Sequence, residues 1–183
     1  RAYLEAVRDN DMNGNGDTKD EIPLVGDRTG WQDLQNTFLT PFMARTGRYK
    51  WSVTDGTVEF NYNTDAYREG LRYLKALVDD GLLDRLSFTQ DEEQVAALLD
   101  SDSQIVGSFS NISYGIAPPE KQYDYVYATA FSGPDGVRYQ GYMPARNNLA
   151  WMITKNCEYP EAAFLLGDFM SSEESNLVAQ LGV

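Results

Sequence analysis

An oxygen-rich segment at residues 9–21 constrains the local fold of this chain more than any other feature. Potential oxygen donors recur there at every second position, and they are Asp9, Asp11, Asn13, Asn15 and Asp17. Two further acids, Asp20 and Glu21, close the segment. Ca²⁺ takes about six to eight oxygen ligands, and calcium loops of about twelve residues supply them at alternate positions around a glycine turn. The segment is therefore predicted to hold a structural Ca²⁺ ion.

Two ligand sets follow from two possible starting residues. A loop that begins at Asp9 has Gly14 at its turn, and its ligands are Asp9, Asp11, Asn13, the Asn15 carbonyl, Asp17 and Asp20. A loop that begins at Asp11 has Gly16 at its turn, and its ligands are Asp11, Asn13, Asn15, the Asp17 carbonyl, and Asp20 or Glu21. A spacing of about twelve residues fits the first set better. A solvated Asx and glycine turn is the alternative to both, but closely spaced carboxylates repel one another without a cation.

Composition indicates a globular domain that does not bind nucleic acid. The 183 residues, 42% of them hydrophobic, suffice for one domain or one lobe with its own core. The net charge of −13 argues against nucleic acid, because phosphate binding requires clustered Lys and Arg. No apolar run approaches the roughly 20 residues of a membrane-spanning helix. Because the chain begins inside a predicted helix and ends without a polar tail, we expect it to be a piece of a longer protein.

The absence of histidine limits the catalytic chemistry available to the chain. It excludes a Ser-His-Asp triad and most catalytic zinc sites. The single cysteine, Cys157, has no histidine to activate it and is expected to be a small buried hydrophobe. No catalytic residue is predicted.

Alternating strand and helix patterns predict an α/β lobe with a mixed sheet flanked by helices, and no internal repeat is present. The clearest signals are a hairpin around Asp55-Gly56 and a helix that follows the cap at 63–65 and stops at Gly81. Further helices are predicted at 31–43, 91–99, after Pro160 with its apolar side chains inward, and after a capping box at Ser171. Further strands are predicted at 22–26, 104–109, 123–131 and 149–154.

Six segments, taken together and in order, resemble bacterial extracellular solute-binding proteins of the oligosaccharide-importer class. They are DMNGNGDTKDEIPL at 11–24, LRYLKALVDDGLLD at 71–84, FTQD at 88–91, SGPDG at 132–136, MITKNCEYPEAA at 152–163 and MSSEE at 170–174. The resemblance implies one lobe, residues 1–183, of a two-lobed periplasmic-binding-protein-like (type II) fold. It also implies an oligosaccharide ligand, delivery to the membrane subunits of an ABC permease, and a monomeric extracellular lipoprotein whose anchor lies outside this chain.

The resemblance also implies a set of calcium ligands. They are Asp11, Asn13 and Asn15 by their side chains, Asp17 by its carbonyl, and then Asp20 and Glu21. Five residues stand at 17–21 where the family pattern has four, so the closing ligands stay open and the loop that begins at Asp9 remains an alternative.

Saccharide recognition combines flat apolar faces with planar polar groups, and ligands of α/β lobes lie outside the carboxyl ends of strands. Two polar and aromatic loops adjoin predicted strands and supply Asn111, Tyr114, Arg146 and Asn147 as ligand candidates. Trp31 and Trp51 are further aromatic candidates, with core packing as the alternative.

Two other classes of protein also fit parts of the sequence. A glycoside hydrolase needs two carboxylates about 5–10 Å apart across a cleft, and neither candidate loop contains an acid. A dockerin-like module needs two copies of the calcium loop, and the chain has one.

We expect Ca²⁺ to raise the melting temperature of the protein. A cation that binds only the folded state stabilises it by an amount that grows with the logarithm of its concentration above the dissociation constant. Thermal melts in excess Ca²⁺ and in chelator measure this shift, and identical melting temperatures would contradict a structural calcium.

Overall fold

The computed structural model describes residues 1–28, 33–43, 51–111, 113–138 and 151–182. The chain divides into two compact units, Arg1–Met143 and Pro144–Val183. Over the described ranges the α-helices are α1 (Ala2–Asp9), α2 (Leu34–Phe38), α3 (Asp65–Asp79), α4 (Glu92–Leu99), α5 (Pro160–Met170) and α6 (Glu173–Leu181). The strands β1 (Trp51–Thr54) and β2 (Thr57–Phe60) pair in antiparallel orientation. None of the helices in these ranges is long and apolar enough to cross a membrane.

A leucine cluster joins α1, α2 and α3 in the first unit. It comprises Leu4, Leu24, Leu34, Leu39, Leu74, Leu77, Leu82 and Leu83. Helix α3 begins as predicted, because the Thr64 hydroxyl accepts a hydrogen bond from Tyr67 N–H (3.2 Å). Gly81 follows its end with φ of +70°, a conformation that L side chains rarely adopt. The predicted helix is therefore confirmed from cap to stop.

A second cluster forms around two extended segments that pair in parallel. Ile22 N–H donates to Ile105 (2.8 Å), Val25 N–H donates to Ser108 (3.0 Å), and bridges join Ile22 with Val106 and Val25 with Phe109. The predicted segments 22–26 and 104–109 are thus paired with each other. Helix α4 covers them with Val95 and Leu99. Its start is fixed by a capping box of Asp91 and Gln94.

Two tyrosine hydroxyls donate hydrogen bonds to backbone carbonyls of the second extended segment. Tyr3 donates to Gly107 (2.6 Å) and Tyr125 donates to Val106 (3.0 Å). Burial raises the pKa of both phenols. These bonds join α1 and the segment that follows α4 to the same short stretch of backbone.

The predicted hairpin is confirmed with its turn. Asp55 and Gly56 have φ of 50° and 77°, the two left-handed residues of a tight hairpin turn that preserves strand twist. The register pairs Trp51 with Phe60 and Val53 with Val58.

Three predicted elements differ from the structure. Helix α2 covers Leu34–Phe38 of the helix predicted at 31–43, of which residues 31 and 32 lie outside the described ranges, and it starts after Asp33, whose carboxylate accepts from Gln35 N–H (2.9 Å). Of the strand predicted at 123–131, residues 123 and 124 belong to a 3-10 helix, and 125–131 has no strand assignment although the pattern alternates, since no strand of the described ranges pairs with that backbone. Likewise 151–154 has no strand assignment, and the predicted residues 149 and 150 lie outside the described ranges.

The second unit also differs from expectation. Phe164, Leu165 and Phe169 of α5 are exposed rather than inward, and Gly167 is the buried residue of that helix. A unit of this size offers too little neighbouring surface to cover all sides of an apolar helix. The Trp151 ring occupies the space beside Gly167. Cys157 is half-buried rather than buried.

The cap that begins α6 is displaced by one residue from the prediction. Ser172 accepts the hydrogen bond from Ser175 N–H (3.3 Å), whereas Ser171 is the C-cap residue of α5. The sequence pattern does not tell which of two adjacent serines is the N-cap. Because Ser171 ends α5, Ser172 is the residue that caps α6.

We expect Gly26→Ala to destabilise the first unit by about 1–3 kcal/mol, because a Cβ there would lie 2.8 Å from Leu34 Cδ1 and 3.2 Å from Leu34 Cβ. Chemical denaturation measures the loss. The double variant Gly26→Ala with Leu34→Ala is the control, and its destabilisation should be smaller than the sum of the two single effects. Simple additivity would contradict the proposed contact.

Candidate functional site

The oxygen-rich loop connects α1 to the first segment of the parallel pair. Its hub is Asp11, whose Oδ1 accepts from Gly14 N–H (2.6 Å) and Asn15 N–H (3.1 Å) and whose Oδ2 accepts from Gly16 N–H (2.8 Å). Gly14 and Gly16 have φ of 75° and 91°. Glycine is required here because the backbone must turn toward one carboxylate twice within three residues. Asp11 therefore organises the loop from its first position.

Successive side-chain turns follow Asp11 along the loop. Asn13 Oδ1 accepts from Asn15 N–H (2.9 Å), Asn15 Oδ1 from Asp17 N–H (2.7 Å), and Asp17 Oδ1 from Lys19 N–H (2.9 Å). These are Asx turns, which Asn and Asp form on their own account. The side-chain oxygens that alternate along the sequence are thus the acceptors of successive turns in the loop.

Two acids close the loop against its beginning. Glu21 Oε1 accepts from Met12 N–H (2.7 Å) and Asn13 N–H (3.3 Å). Asp20 Oδ2 accepts from Asn15 Nδ2 (2.7 Å). The structure therefore brings Asp11, Asn13, Asn15, Asp17, Asp20 and Glu21 into one hydrogen-bonded loop.

The loop has features that a hard cation would satisfy. Asp20 Oδ1 is buried and receives no hydrogen bond. Each carboxylate offers about four lone-pair sites, and the backbone donors use only part of them. Within the described ranges no three His, Cys, Asp or Glu side chains form a metal-binding group. The ligand set predicted for the loop contains three acid side chains, Asp11, Asp20 and Glu21, and the structure does not gather them into such a group.

Asp9 lies outside this arrangement. It is the last residue of α1, and its two oxygens accept from Arg8 Nε (2.7 Å) and Nη2 (3.0 Å). The hydrogen bond from Arg8 lowers the pKa of the Asp9 carboxyl. Asp9 is therefore engaged with an exposed arginine on its own helix rather than with the loop.

A second candidate site lies where the parallel segments end. The backbone after Val25 and after Phe109 leaves the pairing at one edge, as expected for parallel strands. Buried Gln90 donates to Gly26 O (2.7 Å), and Arg28 N–H donates to Gln90 O (3.1 Å). Ser110 Oγ and Thr37 Oγ1, on α2, lie 2.9 Å apart and share a hydrogen bond. This carboxyl edge is consequently rigid and polar.

The predicted ligand candidates Asn111 and Tyr114 follow directly from this edge. Asn111 Oδ1 accepts from Ser113 N–H (3.2 Å), whereas its Nδ2 has no hydrogen-bond partner. Tyr114 opens a 3-10 helix and is 38% exposed. Its ring centroid lies 5.1 Å from that of Tyr127, which is 68% exposed. The Asn111 amide nitrogen is thus buried, whereas the Tyr114 and Tyr127 rings are exposed and in contact with each other.

Tyr127 was not among the predicted ligand residues. It falls in the segment 123–131, whose alternation favoured a strand and so concealed a surface role. The exposure of Tyr127 depends on its tertiary surroundings, so the sequence pattern gave no signal for it.

The remaining ligand candidates divide into two groups. Trp31, Arg146 and Asn147 lie outside the described residues. Trp51 lies on β1, is 51% exposed, and contacts the Phe60 ring at a centroid distance of 4.8 Å. Core packing, the alternative considered for Trp51, is wrong.

A groove among the described residues lies elsewhere. Its volume is about 720 Å³, and Leu83, Arg85 and Gln94 are among the residues that line it. It is open to solvent and includes none of the predicted ligand residues, although Glu21 is at its border.

Comparison with known families and proteins yields a consistent set of similarities. The model of the family described as bacterial extracellular solute-binding protein matches residues 9–177. The fructooligosaccharide ABC transporter substrate-binding protein FusA of Streptococcus pneumoniae is 33% identical over 89 residues. That alignment covers 48% of this chain and 16% of FusA.

Solved structures show the same architecture. An extracellular solute-binding protein from Bifidobacterium longum subsp. infantis superposes with a TM-score of 0.71 and 20% identity over 97% of this chain. A FusA EF-hand mutant in complex with fructo-nystose superposes with a TM-score of 0.68 and 21% identity over 96% of this chain. This chain covers 38% and 35% of those structures. The likeness confirms the predicted fold class, an α/β lobe of a solute-binding protein.

We expect Asp20→Ala to weaken Ca²⁺ binding by more than about tenfold, because it removes a charged ligand while leaving the Asp11 turn intact. Asp9→Ala is the matched control and should leave the affinity unchanged. Calorimetric titration of Ca²⁺ into chelator-treated protein measures both. Equal weakening by the two variants would indicate that the loop begins at Asp9.

Proposed function

The chain belongs to the bacterial extracellular solute-binding proteins, and on that premise we propose that it forms one lobe of the oligosaccharide-binding component of an ABC transporter. Membership confirms the resemblance noted in the sequence. The family consists of binding proteins rather than enzymes, so the glycoside hydrolase alternative is not supported. The family description indicates an extracellular location.

One structural observation supports saccharide binding most directly. The exposed Tyr114 ring contacts that of Tyr127, and Tyr114 follows closely in the chain after Asn111 at the end of the parallel segments, where the Asn111 amide nitrogen is buried without a hydrogen-bond partner. Aromatic faces suit the apolar faces of sugar rings, and planar amides suit paired hydroxyls. Open α/β sheets bind ligands at such edges.

The named relatives support the same ligand class. FusA is named for fructooligosaccharides, and a solved structural neighbour from Bifidobacterium longum infantis is described as HMO-binding. We infer an oligosaccharide ligand for the longer protein of which residues 1–183 would be one lobe. Arg146, Asn147 and Trp31 remain predicted contacts in that site.

In this proposal the carboxyl edge supplies one wall of a cleft. The buried hydrogen bonds of Gln90 and Ser110 keep that wall fixed, so that a second lobe closes on the sugar by a hinge motion. The closed protein, a monomeric cell-surface lipoprotein, then delivers the saccharide to the permease subunits.

We further propose a structural Ca²⁺ in the loop that begins at Asp11. Its ligands would be Asp11, Asn13, Asn15, Asp17, Asp20 and Glu21. The cation would offset two of the negative charges of four carboxylates that only Lys19 balances in that stretch, and it would fix the connection from α1 to Ile22. The engagement of Asp9 by Arg8 supports this starting residue. The description of one FusA structure as an EF-hand mutant supports a calcium loop. Extracellular sites of this kind can have dissociation constants of about 10⁻⁴–10⁻³ M.

We expect the full-length protein to bind oligosaccharides in calorimetric titrations against a panel of fructans and other neutral saccharides. Tyr114→Ala and Tyr127→Ala should each weaken binding by about tenfold, because each removes one flat face of the pair. Tyr123→Ala, which removes a side chain that is 90% exposed, is the control and should have no effect. Binding of peptides but of no saccharide would contradict the sugar assignment.

A further inference from the structure

The hairpin presents its apolar face to solvent. The cross-strand pairs Trp51–Phe60 and Val53–Val58 lie on one face of the two strands, since side chains alternate between faces. All four side chains are exposed, Trp51 by 51%, Phe60 by 36% and the valines by more than 60%. On the opposite face, Ser52 is buried and donates to Asn61 Oδ1 (2.8 Å).

This arrangement departs from the usual pattern of an antiparallel pair. Such pairs normally direct apolar side chains to the core and polar ones to water. Here Ser52 is buried and its cross-strand partner Glu59 is exposed, while the four apolar side chains of the other face are exposed as well. A contiguous exposed apolar patch marks a binding surface.

An aromatic row connects the hairpin to the rest of the first unit. Ring centroids lie 4.8 Å apart for Trp51–Phe60, 5.6 Å for Phe60–Tyr62 and 4.6 Å for Tyr62–Tyr67. Tyr67 donates its hydroxyl proton to Gln35 Oε1 on α2 (3.0 Å). The same short helix carries Thr37, which bonds Ser110 at the carboxyl edge. Helix α2 therefore contacts both the aromatic row and the proposed sugar-binding edge.

We propose that the hairpin face, defined by Trp51, Val53, Val58 and Phe60, is a second carbohydrate platform that contacts sugar units beyond those bound at Tyr114–Tyr127. This inference rests on the proposed oligosaccharide-binding function. Trp51 and Phe60 have two side-chain torsions each and are held on a paired hairpin, so they lose little conformational freedom when they bind. A flat pair of rings with flanking valines matches the apolar faces of sugar rings rather than a charged ligand.

The charges around the hairpin argue against a membrane as its occupant. Asp55 at the turn and Glu59 on β2 are both exposed, and the whole chain has a net charge of −13. Anionic lipid surfaces attract basic segments and repel acidic ones. A saccharide without charge meets no such penalty.

The platform predicts a dependence of affinity on saccharide length. Short saccharides contact the Tyr114–Tyr127 pair alone, whereas longer members of the same series reach the hairpin as well. Loss of the hairpin rings should then weaken binding of long saccharides and leave that of short ones unchanged.

Calorimetric titration of the full-length protein with a length series of one fructan tests this inference. Trp51→Leu and Phe60→Leu should each weaken binding of the longest member by about tenfold and leave that of the shortest unchanged. Trp51→Phe and Phe60→Tyr keep a ring and should retain most of the affinity. Phe88→Leu, which alters a similarly exposed phenylalanine outside the platform, is the matched control.

The titrations distinguish failure of the hairpin platform from failure of the proposed sugar-binding function. Saccharide binding by the unsubstituted protein with no length-dependent loss in the leucine variants would overturn the platform alone. Failure of the unsubstituted protein to bind any saccharide would overturn the proposed function and the platform with it. A change of oligomeric state in Trp51→Leu or Phe60→Leu, measured by sedimentation, would instead assign the hairpin face to a second copy of the chain.

Discussion

The parallel pairing between residues 22–25 and 106–109 is the interaction on which both candidate sites depend. Hydrogen bonds from Ile22, Val25, Gly107 and Ser110 N–H groups join the two extended segments. The oxygen-rich loop ends at the first of these residues, and the proposed sugar-binding edge begins after the last. One short stretch of backbone pairing thus fixes where the cation would be held and where the ligand wall stands.

Three side chains hydrogen-bond to the backbone of that stretch. Tyr3 donates to the carbonyl of Gly107, Tyr125 to that of Val106 and Gln90 to that of Gly26. The Gln90 bond is buried, the Tyr125 bond is part-buried and the Tyr3 bond is exposed, and loss of the buried partner costs about 1–3 kcal/mol. Apolar side chains of α4 then cover the pair. The surfaces proposed for ligands, by contrast, expose aromatic rings, because binding requires apolar area that folding has left uncovered.

Much of the fold was predictable because its determinants are local. The Thr64 cap, the Asp91–Gln94 capping box and the Asp55-Gly56 turn each involve residues within four positions of one another, so composition and spacing report them directly. The alternating oxygens of the loop are predictable for the same reason. The predictions fail where the partners of a segment are distant in the sequence. The alternation at 123–131 predicted a strand, yet no strand of the described ranges pairs with it, and Phe164, Leu165 and Phe169 of α5 are exposed.

The sequence by itself determined the caps, the turns, the oxygen-rich loop and the family to which the chain belongs. Only the tertiary structure decided which residues of those elements face a ligand. It paired Asp9 with Arg8 and so separated Asp9 from the loop, it placed Tyr127 beside Tyr114, and it left Trp51 and Phe60 exposed. The physical reason is that a cap or a turn is complete within its own few residues, whereas the exposure of a side chain depends on what the distant chain leaves uncovered.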